Sequence, residues 1–244
     1  METVSEEFAV PQLGTTRRIR VLLPHDYDAG DARYPVLYLN DGQNLFGEGS
    51  PFGNWTIDQK LAILAHRHHH GVIVVAIDHG EEERIAEYQP YNTRLAEGRG
   101  RAYLDFVVQT LKPFIDARYR TRPERAKTGM GGSSMGGLIS LYAALLHPTV
   151  FGRLLIFSPA LWTTPKAYGD ALRFSCPEPV RAYLYGGERE SRYMVPAIER
   201  LQQSLLQKQD NKTVQIEMVV DPHGEHTENR WGREFPRALE WLFF

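Results

Sequence analysis

The chain contains one cysteine, Cys176, in 244 residues. No disulfide can close within it and no thiolate cluster can hold zinc, so a reducing compartment is the default expectation. No apolar run approaches the roughly 18 residues that a bilayer requires. The opening stretch METVSEEFAV has neither a basic start nor an apolar core with a small-residue cleavage site. The reading is therefore a soluble, cytoplasmic protein. Runs of about five or more like charges are also missing, and 28 basic against 30 acidic side chains leave a formal net charge of −2. Neither nucleic acid nor a membrane is an expected partner, and a small ligand fits better. No internal repeat, low-complexity tract or linker divides the sequence. With 42% hydrophobic and 24% charged residues the composition is that of an ordinary globular protein. One domain over residues 1–244 is expected, while the composition leaves the oligomeric state open.

Short apolar runs alternate with segments of helical period. Residues 17–23 (RRIRVLL), ended by Pro24, read as an early antiparallel strand. Residues 36–39 (VLYL), 72–77 (VIVVAI), 154–157 (LLIF), 180–185 (VRAYLY) and 214–220 (VQIEMVV) suit strands buried on both faces of a parallel sheet. Between them, residues 57–65, 102–115, 138–146, 194–206 and 233–242 carry the 3.6-residue spacing of helices. The expectation is an α/β fold, a mostly parallel central sheet with helices on both faces. Residues 78–100 and 159–179 lack clear periodicity, and loops of that length are candidates for the walls of a site.

The segment GGSSMGG, residues 131–137, follows AKTGM and precedes LISLYAALLH. Gly132-Ser133-Ser134-Met135-Gly136 fits G-x-S-x-G in the context that motif requires, a strand turning sharply into a helix with Ser134 at the apex. Flanking side chains must be small because a tight, strained turn leaves them no room. A phosphate loop would need Gly-Lys-Ser/Thr and a dinucleotide site G-x-G-x-x-G, and neither occurs.

A serine hydroxyl becomes a useful nucleophile only when a base takes its proton and a carboxylate orients that base. Beyond residue 134 the histidines well clear of the elbow are His223 and His226, both in DPHGEHTENRW. The loop after VRAYLY, GGERES, supplies Glu188 and Glu190. Glu190 is preferred because it closes a G-x-x-E one turn past the strand. An oxyanion needs backbone donors. The Met135 amide follows the nucleophile directly, and the Gln43 amide in LYLNDGQNLF lies in the loop after the third strand. His66, His68, His69 and His70 form a cluster, but consecutive histidines point to different sides and cannot all meet one ion. No metal and no cofactor is expected.

Together YLNDGQNLF, NWTID, ERIAEYQPY, GGSSMGGLISLYAALLHPTVFG with FSPALW, YGGERES and GEHTENRWGREFPRALEWLF resemble the esterase family of the α/β-hydrolase superfamily. That group includes enterochelin, feruloyl and acetylxylan esterases, S-formylglutathione hydrolase and mycolyltransferases, and the resemblance covers nearly the whole chain. It implies the α/β-hydrolase fold, Ser134 as nucleophile, Glu190 as acid, His226 as base, and Gln43 and Met135 as oxyanion donors. It selects His226 over His223 because the family histidine stands in G-x-H a few residues before a tryptophan, here Trp231. The acid departs from the pattern, since the family often has aspartate there.

For the substrate pocket, Trp55, Arg84, Tyr88, Trp162 and Trp231 are candidates, because aromatic faces suit an acyl or aryl group. Trilactone substrates would favour basic residues around the site, for which Arg84 and Arg230 are the candidates. The expected activity is a serine carboxylesterase acting on a small-molecule ester, short acyl or aromatic. An acyltransferase or thioesterase on the same triad, and a non-catalytic binding protein of the same fold, are the alternatives.

Overall fold

The structure, a computed structural model, describes residues 2–47, 53–68, 71–176, 178–207 and 213–244. The described residues form eight strands: β1 (Glu2–Val10), β2 (Thr15–Leu22), β3 (Val36–Asn40), β4 (Ile73–Ile77), β5 (Thr128–Ser133), β6 (Arg153–Phe157), β7 (Val180–Gly187) and β8 (Val214–Asp221). They make one sheet in the order β1-β2-β4-β3-β5-β6-β7-β8. Pairing is antiparallel for β1 with β2 and for β2 with β4, and parallel from β4 through β8. The exchange of β3 and β4 puts β3 directly beside β5. The loop after β3 thereby becomes a neighbour of the turn after β5, and ligands bind at such strand ends in open α/β sheets.

Helices α1 (Ile57–His68), α2 (Arg84–Tyr88), α3 (Gly100–Phe106), α4 (Lys112–Arg118), α5 (Met135–Leu146), α6 (Lys166–Arg173), α7 (Met194–Leu206) and α8 (Glu228–Phe243) complete the chain, with a π-helical turn, Val107–Leu111, joining α3 to α4. Two apolar layers flank the sheet. Val36 and Tyr38 join one with residues of α3, α5 and α7, while Leu37 and Leu39 join the other with Ile57 of α1 and Phe235, Leu239 and Leu242 of α8. Alternate strand residues point to opposite faces, so both layers draw on the same strand. This is the α/β arrangement expected, an α/β-hydrolase fold. No helix among the described residues is long and apolar enough to cross a membrane.

Three elements escape the periodicity reading: β1, the short α2 inside residues 78–100, and α6. β1 is a polar edge strand, exposed or half-buried up to Val10, whose register with β2 shifts twice; it carries no apolar alternation to announce it. α6 lies inside residues 159–179, read above as a loop, and buries only Ala167 and Ala171, too small an apolar stripe to stand out.

Candidate functional site

Ser134 sits between β5 and α5 with φ 56° and ψ −119°, a conformation costly for a residue with a side chain. Its own backbone holds it there. The Ser134 N–H donates to Phe157 O at 2.9 Å, and Ser134 O accepts from Leu138 N and Ala160 N, each at 3.0 Å. A Cβ on Gly132 would stand 2.9 Å from the Gly136 carbonyl carbon, and one on Gly136 would stand 2.8 Å from Asp41 Oδ2. Glycine is required at both places because backbone and loop pack where a side chain would be.

Asn40, at the end of β3, braces the turn from the neighbouring strand. Buried to 1% exposure, it donates through Nδ2 to Gly131 O, Gly136 O and Ser140 Oγ at 3.0–3.2 Å and accepts from the Tyr103 hydroxyl. Its chain successor Asp41 adopts a left-handed backbone, φ 57°, and opens a 3-10 turn, Gly42–Asn44. The Met135 N–H at the start of α5 and the Gln43 N–H inside this turn are helix-start donors with no acceptor in their own helix. The Gln43 side chain turns away and pairs with the His79 backbone, accepting from N at 3.0 Å and donating to O at 3.2 Å.

His226 Nδ1 lies 2.6 Å from Glu190 Oε2. Glu190 Oε1 accepts from Gly187 N at 2.7 Å and from Ser158 Oγ at 2.6 Å, and its side chain is 1% exposed. Oε1 thus takes two donors, leaving Oε2 to face the imidazole. Glu188, by contrast, is exposed. His223 is also turned aside, with Nδ1 3.0 Å from Arg189 Nη2 and its N–H on Asp221 Oδ1. The structure thus brings Glu190 and His226 together and leaves Glu188 and His223 out of the pair.

Ser134, His226, Trp231 and Arg84 line one open cavity of about 460 Å³ with Asp41, Asn44, His79, Glu81, Glu82, Ile85, Ser133 and Glu228. The Ser134 hydroxyl has no hydrogen-bond partner among the described residues, so nucleophile and base share the cavity without yet being joined. Such contacts often close only when substrate is bound. Residues 78–100 form much of the wall, as expected; residues 159–179 contribute nothing to it.

Of the aromatic candidates, only Trp231 lines the cavity. Trp55 is 2% exposed, stacked on Phe157 and packed against Trp231 and Phe235; it belongs to the core beneath the site. Tyr88 is fully buried and accepts from the Asp41 N–H, and Trp162 is 75% exposed and outside the lining. Trp231 also has a role the sequence did not disclose. Its Nε1 donates to Ser158 Oγ at 2.8 Å, and its ring meets His226 edge-on at 4.8 Å. Ser158 itself, φ 43° and fully buried, was missed. The signal available was FSPALW, in which the serine directly follows β6 beside the elbow strand. Arg84 donates from Nε and Nη2 to Asp41 at 2.6 and 2.8 Å, and Arg230 stands 3.6 Å from Asp221. His69 and His70 lie outside the described residues; α1 ends at His68, and His66 is exposed.

The Putative esterase family model matches residues 11–242. The uncharacterized protein YbbA of Bacillus subtilis (strain 168) is 26% identical, covering 93% of this chain and 92% of that protein. The iron(III) salmochelin esterase of Escherichia coli O6:H1 is 28% identical over 79% of this chain but only 47% of its own length. Among solved structures, the enterobactin esterase from Shigella flexneri superposes with a TM-score of 0.77 at 23% identity, covering 99% of this chain and 59% of that one; at that identity the likeness concerns the fold. A match over nearly all of its length places this chain in the Putative esterase family, as a carboxylesterase of α/β-hydrolase fold.

Proposed function

We propose that the protein hydrolyses a short acyl or aromatic ester through Ser134, His226 and Glu190. The observation that carries this reading is the 2.6 Å contact of Glu190 Oε2 with His226 Nδ1, in a cavity that has Ser134 at its elbow. With Nδ1 donating to Glu190, Nε2 is the acceptor, and it takes the Ser134 proton as Oγ attacks the ester carbonyl. The tetrahedral oxyanion falls to the Met135 and Gln43 amides. The intermediate collapses by breaking the bond to the alcohol oxygen, which leaves with the proton from His226. An acyl-enzyme remains, and water, deprotonated by the same histidine, releases the acid. Glu190 fixes the tautomer and favours the imidazolium.

Fluorophosphonate labelling followed by peptide mapping tests the nucleophile: Ser134 is labelled in the native chain, and Ser134→Ala takes no label and loses turnover. A panel of p-nitrophenyl, feruloyl, acetyl-sugar and thioester substrates, run with and without an alcohol acceptor, then identifies the acyl group and separates hydrolysis from transfer. Labelling elsewhere, or a Ser134→Ala variant of native activity, defeats the assignment.

A further inference from the structure

The side chains that line the cavity have an uneven charge. Among the described residues they comprise four carboxylates, Asp41, Glu81, Glu82 and Glu228, and one guanidinium, Arg84. Arg84 is already engaged. It binds both Asp41 oxygens, and although burial works against its charge, Asp41 outweighs that and raises its pKa above the ordinary value. A bidentate pair of this kind leaves no net positive charge for a ligand. His79 supplies none through Nδ1, which accepts the Glu81 N–H at 3.0 Å, and the Nδ1 of His226 is occupied by Glu190. What remains uncompensated is Glu228 inside and Glu81 and Glu82 at the exposed rim.

Glu228 is the deepest of these. It opens α8, is 7% exposed, and accepts from Asn44 Nδ2 at 3.2 Å through Oε1. A carboxylate has acceptor capacity beyond one such bond. Its environment also reports on the wall around it. Burial raises its pKa, a hydrogen bond from its own backbone N–H opposes this, Asp41 adds to the shift, and His226 and Arg84 complete an offset that is only partial. Burial of Glu228 itself is the first cause of that shift; the charge of the wall is carried by the lining carboxylates Glu81, Glu82 and Glu228, and a substrate anion entering the same space meets them.

Resting on the esterase reading above, we propose that this cavity selects uncharged or cationic esters over anionic ones, with Glu228 as the residue that sets the preference. Esters carrying a free carboxylate or phosphate, or borne on an anionic iron chelate, are then poor substrates. A hydroxyl or ammonium group on the ester finds an acceptor in Glu228.

Two measurements test this. The first compares kcat/KM for three p-nitrophenyl esters of matched length, the pentanoate, the monoanionic glutarate and the 4-trimethylammoniobutanoate, after subtracting spontaneous hydrolysis. The anionic ester falls below the neutral one by about 10-fold or more, since like charges brought together cost over 1.4 kcal/mol. Glu228→Gln, checked by its melting curve, narrows that ratio by about threefold or more, and high salt compresses the share due to Glu81 and Glu82. The second needs no turnover. Phenylboronic acid and its 4-carboxy and 4-trimethylammoniomethyl derivatives are titrated for protection of Ser134 against a fluorophosphonate, and the carboxy compound protects least. In Glu81→Gln/Glu82→Gln, a rim variant without buried changes, its deficit shrinks.

Anionic and neutral probes of equal standing in the native chain overturn the proposal, as does a folded Glu228→Gln that leaves the ratio untouched. If Ser134 takes no fluorophosphonate at all, the nucleophile reading is what fails, and this proposal falls with it. Labelling at Ser134 with equal protection by all three boronates refutes the charge preference alone.

Discussion

The Ser158 hydroxyl stands 2.6 Å from Glu190 Oε1 and at the same time accepts the Trp231 indole N–H at 2.8 Å. It is the middle of a chain running from Trp231 through Ser158 and Glu190 to His226. The position is held by a positive-φ backbone, 43°, and by a 2.7 Å bond from Ser158 N to Tyr185 O. Strain kept in this way at a buried site points to a local requirement on the side chain.

Ser158→Ala therefore lowers kcat by about 10-fold with little change in KM, because the buried carboxylate and indole each lose a partner, at about 1–3 kcal/mol. Ser158→Gly relieves the backbone strain yet still lacks the hydroxyl. If it turns over like the native enzyme, the hydroxyl contributes nothing and the chain is structural only.

The two glutamates of the GGERES loop separate cleanly. Glu190→Gln loses turnover by about 10³-fold, on the pattern of carboxylates that hold a catalytic histidine in its productive tautomer. Glu188→Gln stays within about twofold, as an exposed side chain away from the histidine should. Steady-state rates on one p-nitrophenyl ester decide between them, and a reversed order moves the acid to Glu188.

Asp41 carries its charge beside the start of α5, where a Gly136 Cβ would nearly touch it, and Arg84 neutralises it. Arg84→Met leaves a buried, unpaired carboxylate close to the proposed oxyanion donors. The expected loss in kcat is about 10²-fold, and adding Asp41→Asn recovers part of it because the offending charge is gone. A double variant no better than Arg84→Met would mean that Arg84 acts through direct contact with substrate.

Glu228 has a consequence for stability. Its folded pKa is raised, first by burial, so its favourable contribution is complete below the ordinary carboxyl range and is lost as pH rises through the raised value. Glu228→Gln keeps an acceptor for Asn44 and removes the ionisable group. Melting curves of the two proteins then converge near pH 4 and separate towards pH 7, with the variant the higher; a constant difference across that range would contradict the shift.

The elbow was legible in seven residues because its cause is local. A turn that tight excludes side chains on either flank, and the sequence records the exclusion as glycine and serine. The strand and helix alternation was legible for the same kind of reason, each period being written within one element, and the boundaries of α7 at Met194 and Leu206 match the spacing alone. Where the local pattern is weak, the reading was incomplete: β1 at a polar edge, and α6 with two alanines as its buried stripe. The resemblance to esterases pointed to His226, but Glu188 and Glu190 share one loop, and only the fold decides which of them reaches the ring. Composition could not distinguish Trp55 in the core from Trp231 at the cavity, and nothing local marks Ser158 as the support of Glu190. Those assignments depend on strand order: with β5, β6 and β7 adjacent and parallel, their C-terminal loops meet at one edge, and side chains far apart in sequence come within hydrogen-bonding distance there.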